Sequence, residues 1–135
     1  MSLIFVDSNV FLRLFTRDDE QQYERSYRLF SEAATGAVSL VTGPPVLFDL
    51  AWRLRTTYKM PREAILDVLR RIVATPGLEL VDRALVEDAV ALADATGQEF
   101  ADAYVAASTR ASGADAVATF NREHFEKLGA TLHPL

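Results

Sequence analysis

Short apolar runs of strand length alternate with longer stretches of helical period along this 135-residue chain. That alternation is the mark of an α/β domain built on a parallel sheet. Leu3-Ile4-Phe5-Val6 is the first run; four apolar residues without polar alternation predict a strand covered on both faces. Residues 38–41, 78–81, 116–119 and 130–133 supply four more candidate strands. Asp7 or Ser8 caps a short helix running through Leu14. Asp18-Asp19-Glu20 opens the next, where acidic residues suit the positive end of the helix dipole. Its apolar side reads Tyr23, Tyr27, Phe30 and Ala34, and Gly36 ends it. Pro44-Pro45 starts a helix with the core stripe Leu47, Leu50, Leu54 and Tyr58. Pro61 restarts the chain into a helix with Ile65, Val68, Leu69 and Ile72 inward, and further helices cover about 83–95 and 101–111. The predicted fold is a three-layer sandwich, a five-stranded parallel sheet flanked by helices, within one domain over 1–135. With the first strand central, ligands would sit beyond the carboxyl ends of the strands.

The absence of cysteine excludes a disulfide scaffold, a thiolate metal site and cysteine nucleophilic chemistry. His124 and His133 are the only imidazoles, and their spacing does not suggest a zinc pair on one helical face. No apolar run approaches the roughly 20 residues of a membrane span, and the first residues lack the basic segment and long apolar run of a secretory signal. A cytoplasmic location with no membrane partner is therefore expected. The net charge of −5 argues against coating nucleic acid by bulk electrostatics. Between Trp52 and Arg71, however, six basic residues stand against two acidic ones. That stretch is either a pair of solvated helix faces or a contact surface for a polyanion.

Candidate chemistry rests on oxygen donors. Asp7 directly follows the first strand, where a helix N-cap would also be an ordinary role. Asp102 interrupts Phe100-Ala101-Asp102-Ala103-Tyr104-Val105-Ala106-Ala107, which otherwise reads as buried, so its carboxylate needs a hydrogen-bonded partner or a cation. Glu99 lies three residues earlier and could share its face. Asp49 sits off the core stripe of its helix, with an i,i+4 ion pair to Arg53 as the plain alternative. Asn121 follows the fourth strand, where a turn residue would be unremarkable. Clustered carboxylates repel one another unless a cation neutralises them, and hard cations such as Mg²⁺ prefer oxygen ligands with retained water.

Phe5-Val6-Asp7-Ser8-Asn9-Val10, Val46-Leu47-Phe48-Asp49-Leu50, the Asp102 block and Thr119-Phe120-Asn121 together resemble the PIN-domain nucleases, most of all the VapC-like toxins of bacterial toxin–antitoxin pairs. The resemblance covers essentially the whole chain. It implies a Mg²⁺- or Mn²⁺-dependent endoribonuclease in which Asp7 and Asp102 match metal-binding aspartates. Asp49 stands at a position that is usually glutamate and reaches one methylene less. Asn121 stands where many members carry aspartate and contributes no negative charge, and Glu99 matches an often acidic rim position. These departures weaken a two-metal reading more than a one-metal reading. An RNA substrate, a small cognate antitoxin and a homodimer are further implications of the resemblance.

With no histidine placed to act as general base, water activated by the ion is the expected nucleophile. Ser8 or Thr119 could orient that water, each being equally plausible as a cap or turn residue. Arg13, Arg53 and Arg55 are the candidate phosphate contacts. The rival reading is a degenerate member of the same fold that binds metal or RNA without turnover. A phosphoacceptor receiver domain is disfavoured, because Asp7 stands without an acidic neighbour and the only lysines are Lys59 and Lys127. There is no phosphate-cradling glycine motif.

Overall fold

Leu3–Phe5 forms β1, which pairs in parallel with β2 (Ser39–Thr42); β2 in turn pairs in parallel with β3 (Leu78–Leu80). The register runs Ile4 to Leu40 to Leu78. The computed structural model describes residues 2–135 and divides into two compact units, one ending at Arg83 and the other running Ala84–Leu135. In the first unit β2 takes the middle of the ladder, with Leu40 fully buried, and not the first strand as expected. β1 alternates exposed, half-buried and exposed instead of being covered on both faces. An apolar run alone does not separate these cases, because successive side chains point to opposite faces whichever face is filled.

The exit from β1 is fixed before it reaches Asp7. The Val6 N–H donates to the Val41 carbonyl at 2.8 Å, and the fully buried Thr42 hydroxyl donates to the Val6 carbonyl at 2.9 Å. Asp7 then leaves the sheet in extended geometry and caps α1 (Ser8–Thr16). Helix α2 (Glu20–Ala34) is capped by Asp19, whose side chain accepts the Gln22 N–H at 3.0 Å. Its buried side carries Ser26 and Ala33, with Phe30 tilted against Phe11 at 5.5 Å. The predicted stripe through Tyr23, Tyr27 and Ala34 is thus rotated. Small Ser26 and Ala33 let the helix approach closely, whereas Tyr27 is exposed and stacks on Tyr23 at 6.0 Å. Helices α3 (Pro44–Thr56) and α4 (Arg62–Val73) bury Leu47, Leu50 and Leu54, and Ile65, Val68, Leu69 and Ile72, as their periodicity predicts. Tyr58 lies beyond the end of α3 and is only partly buried.

The Tyr58 hydroxyl donates to Asp18 Oδ2 at 2.7 Å, while Thr16 and Arg13 reach Asp18 Oδ1 at 3.0 and 2.9 Å. The Tyr58 bond first, then Thr16 and Arg13, hold the Asp18 carboxyl below its ordinary 3.8 against an opposing desolvation. A carboxyl depressed on folding contributes stability above its unfolded value and loses it as pH falls through the lower folded one. Asp18→Asn is therefore expected to flatten the fall of Tm between roughly pH 5 and pH 2, the range in which such carboxyls titrate. An identical pH profile in that variant would remove Asp18 from the acid response.

The second unit carries α6 (Phe100–Ala111) and α7 (Arg122–Lys127), which contact one another, and nearly all of α5 (Arg83–Thr96). The two remaining predicted strands meet only at a parallel bridge between Val117 and Leu132. The Val117 N–H donates to the Thr131 carbonyl and the His133 N–H to the Val117 carbonyl, both at 2.8 Å. Among the described residues the sheet thus has three strands, not the five expected. Strand geometry ends near Thr119, whose hydroxyl turns the chain by accepting the Asn121 N–H at 3.0 Å; Pro134 has no N–H with which to extend the other side. Among the described residues no helix is long and apolar enough to cross a membrane.

Candidate active site

In the first unit a polar group gathers around Ser8. Its backbone N–H donates to Asp7 Oδ1 at 2.8 Å, and its buried hydroxyl donates to Asp49 Oδ2 at 2.5 Å, across 41 positions of sequence. One serine therefore binds two of the predicted carboxylates, one beyond β1 and one in α3. The hydroxyl proton is committed to Asp49, so any water that Ser8 orients would have to donate to its oxygen. Arg53 completes the group. Its Nε lies 3.1 Å from Asp49 Oδ2, and one terminal nitrogen donates to Asn9 Oδ1 at 3.1 Å. The i,i+4 ion pair considered for Asp49 is thus present, and at 42–45% side-chain exposure it adds little to stability. Its meaning is chemical: the guanidinium competes with any cation for the same carboxylate.

The second unit builds a separate group on α6 and α7. Asp102 lies in the first turn of α6, where the helix dipole favours an anion. It is not the buried carboxylate expected, for 29% of its side chain remains exposed. Glu99 sits at the N-cap of α6 without a side-chain capping bond. Asp102 Oδ2 stands 3.2 Å from His124 Nδ1, and the same nitrogen lies 2.8 Å from Asn121 Nδ2. A histidine thus stands beside two candidate donors, contrary to the expectation that none is placed there. Asn121 and His124 are three residues apart on a helical turn, so they share a face, and that spacing was the available signal. Thr119 acts as a turn residue under Asn121.

Of the candidate phosphate contacts, Arg13 donates to Gln22 Oε1 at 2.6 Å and to Asp18 at 2.9 Å. Arg55 donates to the Met60 carbonyl at 3.4 Å and is exposed. In the basic stretch Arg62 pairs with Glu63, and Arg70 pairs with Asp67 at 3.4 Å. A cavity of about 420 Å³ on the first unit is lined by Asn9, Arg13, Gln22 and Arg25 among others. Its basic, polar wall adds Arg25, which charge counting along the chain did not single out.

Among the described residues no group of three or more histidine, cysteine, aspartate or glutamate side chains stands close enough to hold a metal ion. The donor chemistry nevertheless suits a hard cation. Asp7 and Asp49 in one unit, and Asp102 and Asn121 in the other, are all oxygen donors, and Mg²⁺ characteristically takes one or two carboxylates and completes its shell with water and phosphate. No curated protein matches the chain. A family model does: that of the PIN domain, matched over residues 4–130.

Proposed function

The chain belongs to the PIN-domain family, whose members are typically metal-dependent nucleases, and from that premise we propose that it is an endoribonuclease of the VapC-like toxin type using Mg²⁺ or Mn²⁺. What supports this reading is that the family match spans residues 4–130, the stretch that carries the oxygen donors Asp7, Asp49, Asp102 and Asn121. Asp7 and Asp102 would hold the ion, with Asp49 and Asn121 contributing through water or to a weaker second site. When bound, a divalent ion polarises the phosphoryl oxygen and makes water a nucleophile at neutral pH. Ser8 keeps the Asp7 and Asp49 carboxylates on one residue's donors. Arg13, Arg53 and Arg55 are proposed to meet the RNA backbone, which carries no sequence information by itself. The same reading brings a small cognate antitoxin, a homodimer and a cytoplasmic location.

Arg53 is a poor choice for testing the RNA contact, because it also holds Asp49. Arg55→Glu separates the two roles. It is expected to weaken RNA binding and to lower the slope of log K against log salt by about 1. An unchanged slope would take Arg55 out of the interface.

A second reading is favoured by the Arg53–Asp49 pair and the uncharged Asn121: a binding module without turnover. Incubation of a short single-stranded RNA with the chain and Mn²⁺ decides between them. The nuclease reading expects cleavage that a chelator abolishes. Retention of RNA without cleavage under the same conditions would favour the module.

A further inference from the structure

We propose that His124 is a positioning residue that turns the Asn121 carboxamide so that its oxygen, and not its nitrogen, is presented as a hard donor. This rests on the reading of Asp102 and Asn121 as donors to a divalent cation.

The argument starts from a difference between aspartate and asparagine. A carboxylate has two equivalent oxygens and offers a hard donor in either orientation. A carboxamide offers one oxygen and one NH₂, and only the oxygen suits Mg²⁺ or Mn²⁺. An asparagine in such a place therefore needs something to choose its orientation. His124 Nδ1 lies 2.8 Å from Asn121 Nδ2, a hydrogen-bonding distance. With the amide nitrogen facing the ring, Nδ1 of a neutral imidazole is the acceptor and its proton sits on Nε2. With Nδ2 committed to the ring, planarity turns the amide oxygen away from it.

The neighbouring contact bears the cost of this tautomer. In this tautomer Asp102 Oδ2 and the Nδ1 lone pair are two acceptors 3.2 Å apart. Such a pair is relieved when a cation takes up the carboxylate charge. The opposite arrangement, with the proton on Nδ1, would spend that N–H on Asp102 and on a reversed Asn121 amide. Both donor oxygens would then be occupied by the imidazole.

Two measurements test the assignment. A long-range ¹H–¹⁵N spectrum of the wild-type chain in mildly alkaline buffer should show His124 as the Nε2–H tautomer. An Nδ1–H tautomer overturns the proposal without reference to any metal. Titration with Mn²⁺ alone should show affinity falling about tenfold in His124→Ala, the scale of losing a group that orients a ligand. Combining it with Asn121→Asp should restore that affinity, because a carboxylate needs no orienting partner. A His124 that merely packs would leave the double variant as weak as the single one, and that result overturns the proposal. So does wild-type affinity in His124→Ala while Asp102→Asn binds weakly. If the wild-type chain and Asp102→Asn take up Mn²⁺ equally, the metal-site reading itself fails, and this inference with it.

Discussion

Asp102→Asn is expected to lower Mn²⁺-dependent RNA cleavage by more than about 100-fold, the upper end of what loss of a group that only supports a ligand costs. The far-UV circular dichroism should not change. Asparagine keeps the shape of the side chain and removes its charge, and the fold makes little use of that charge. Asp102 does not cap α6, because Glu99 holds the N-cap position. Its contact to His124 is partly exposed on both sides, at 29% and 47%, so whichever tautomer the ring adopts, the change there costs the fold no more than a surface pair. In the proposed function that charge gives a hard cation an anionic oxygen. Near-wild-type cleavage by a folded Asp102→Asn chain would remove the residue from the site.

Gly77→Ala is expected to destabilise the chain by about 2–4 kcal/mol, combining a left-handed backbone cost of roughly 1–2 kcal/mol with a steric one. Gly77 has φ +76°, and a Cβ there would lie 2.5 Å from the Ala33 carbonyl oxygen and 2.9 Å from its carbonyl carbon. Those are backbone atoms near the end of α2, and no rotamer change moves them. Nor can Gly77 retreat freely, because its own carbonyl accepts the Leu40 N–H at 2.9 Å and so ties the start of β3 to the middle strand. Gly36→Ala is the matched control. Gly36 has φ +86° but nothing within 4 Å of the added carbon, so it should lose only the backbone part. Thermal unfolding of the two variants separates the contributions, and equal losses would show that the clash relaxes.

The core of α3 and α4 was legible because leucine and isoleucine recur there at helical spacing with no competing stripe, and Pro44 and Pro61 mark where each helix begins. In α2 the same logic chose the large aromatics and missed the face, since Ser26 and Ala33 are buried for their small size. Strand order was beyond a local pattern, because pairing is decided by partners tens of residues away. The two late segments carry strand-like apolar residues, yet a turn at Thr119 and a proline at 134 leave them a single bridge.

The candidate site divides along the same line. Asp7 and Asp102 stood out by position, one after a strand and the other inside an alanine-rich helix. The Ser8–Asp49 bond links residues 41 apart and no spacing rule predicts it. The spacing of His124 from His133 carries no zinc-pair signal, and its structural neighbours are Asn121 and Asp102. For Arg53 the sequence allows both a phosphate contact and an ion pair to Asp49, and the second of these is present.

The most direct test of the metal-dependent reading is uptake of Mn²⁺ by the purified chain, followed by electron paramagnetic resonance, for the wild type, Asp7→Asn and Asp102→Asn. The wild type should deplete free Mn²⁺ from solution, and each variant, with circular dichroism unchanged, should leave most of it free. Uptake by both variants at the wild-type level would contradict the account.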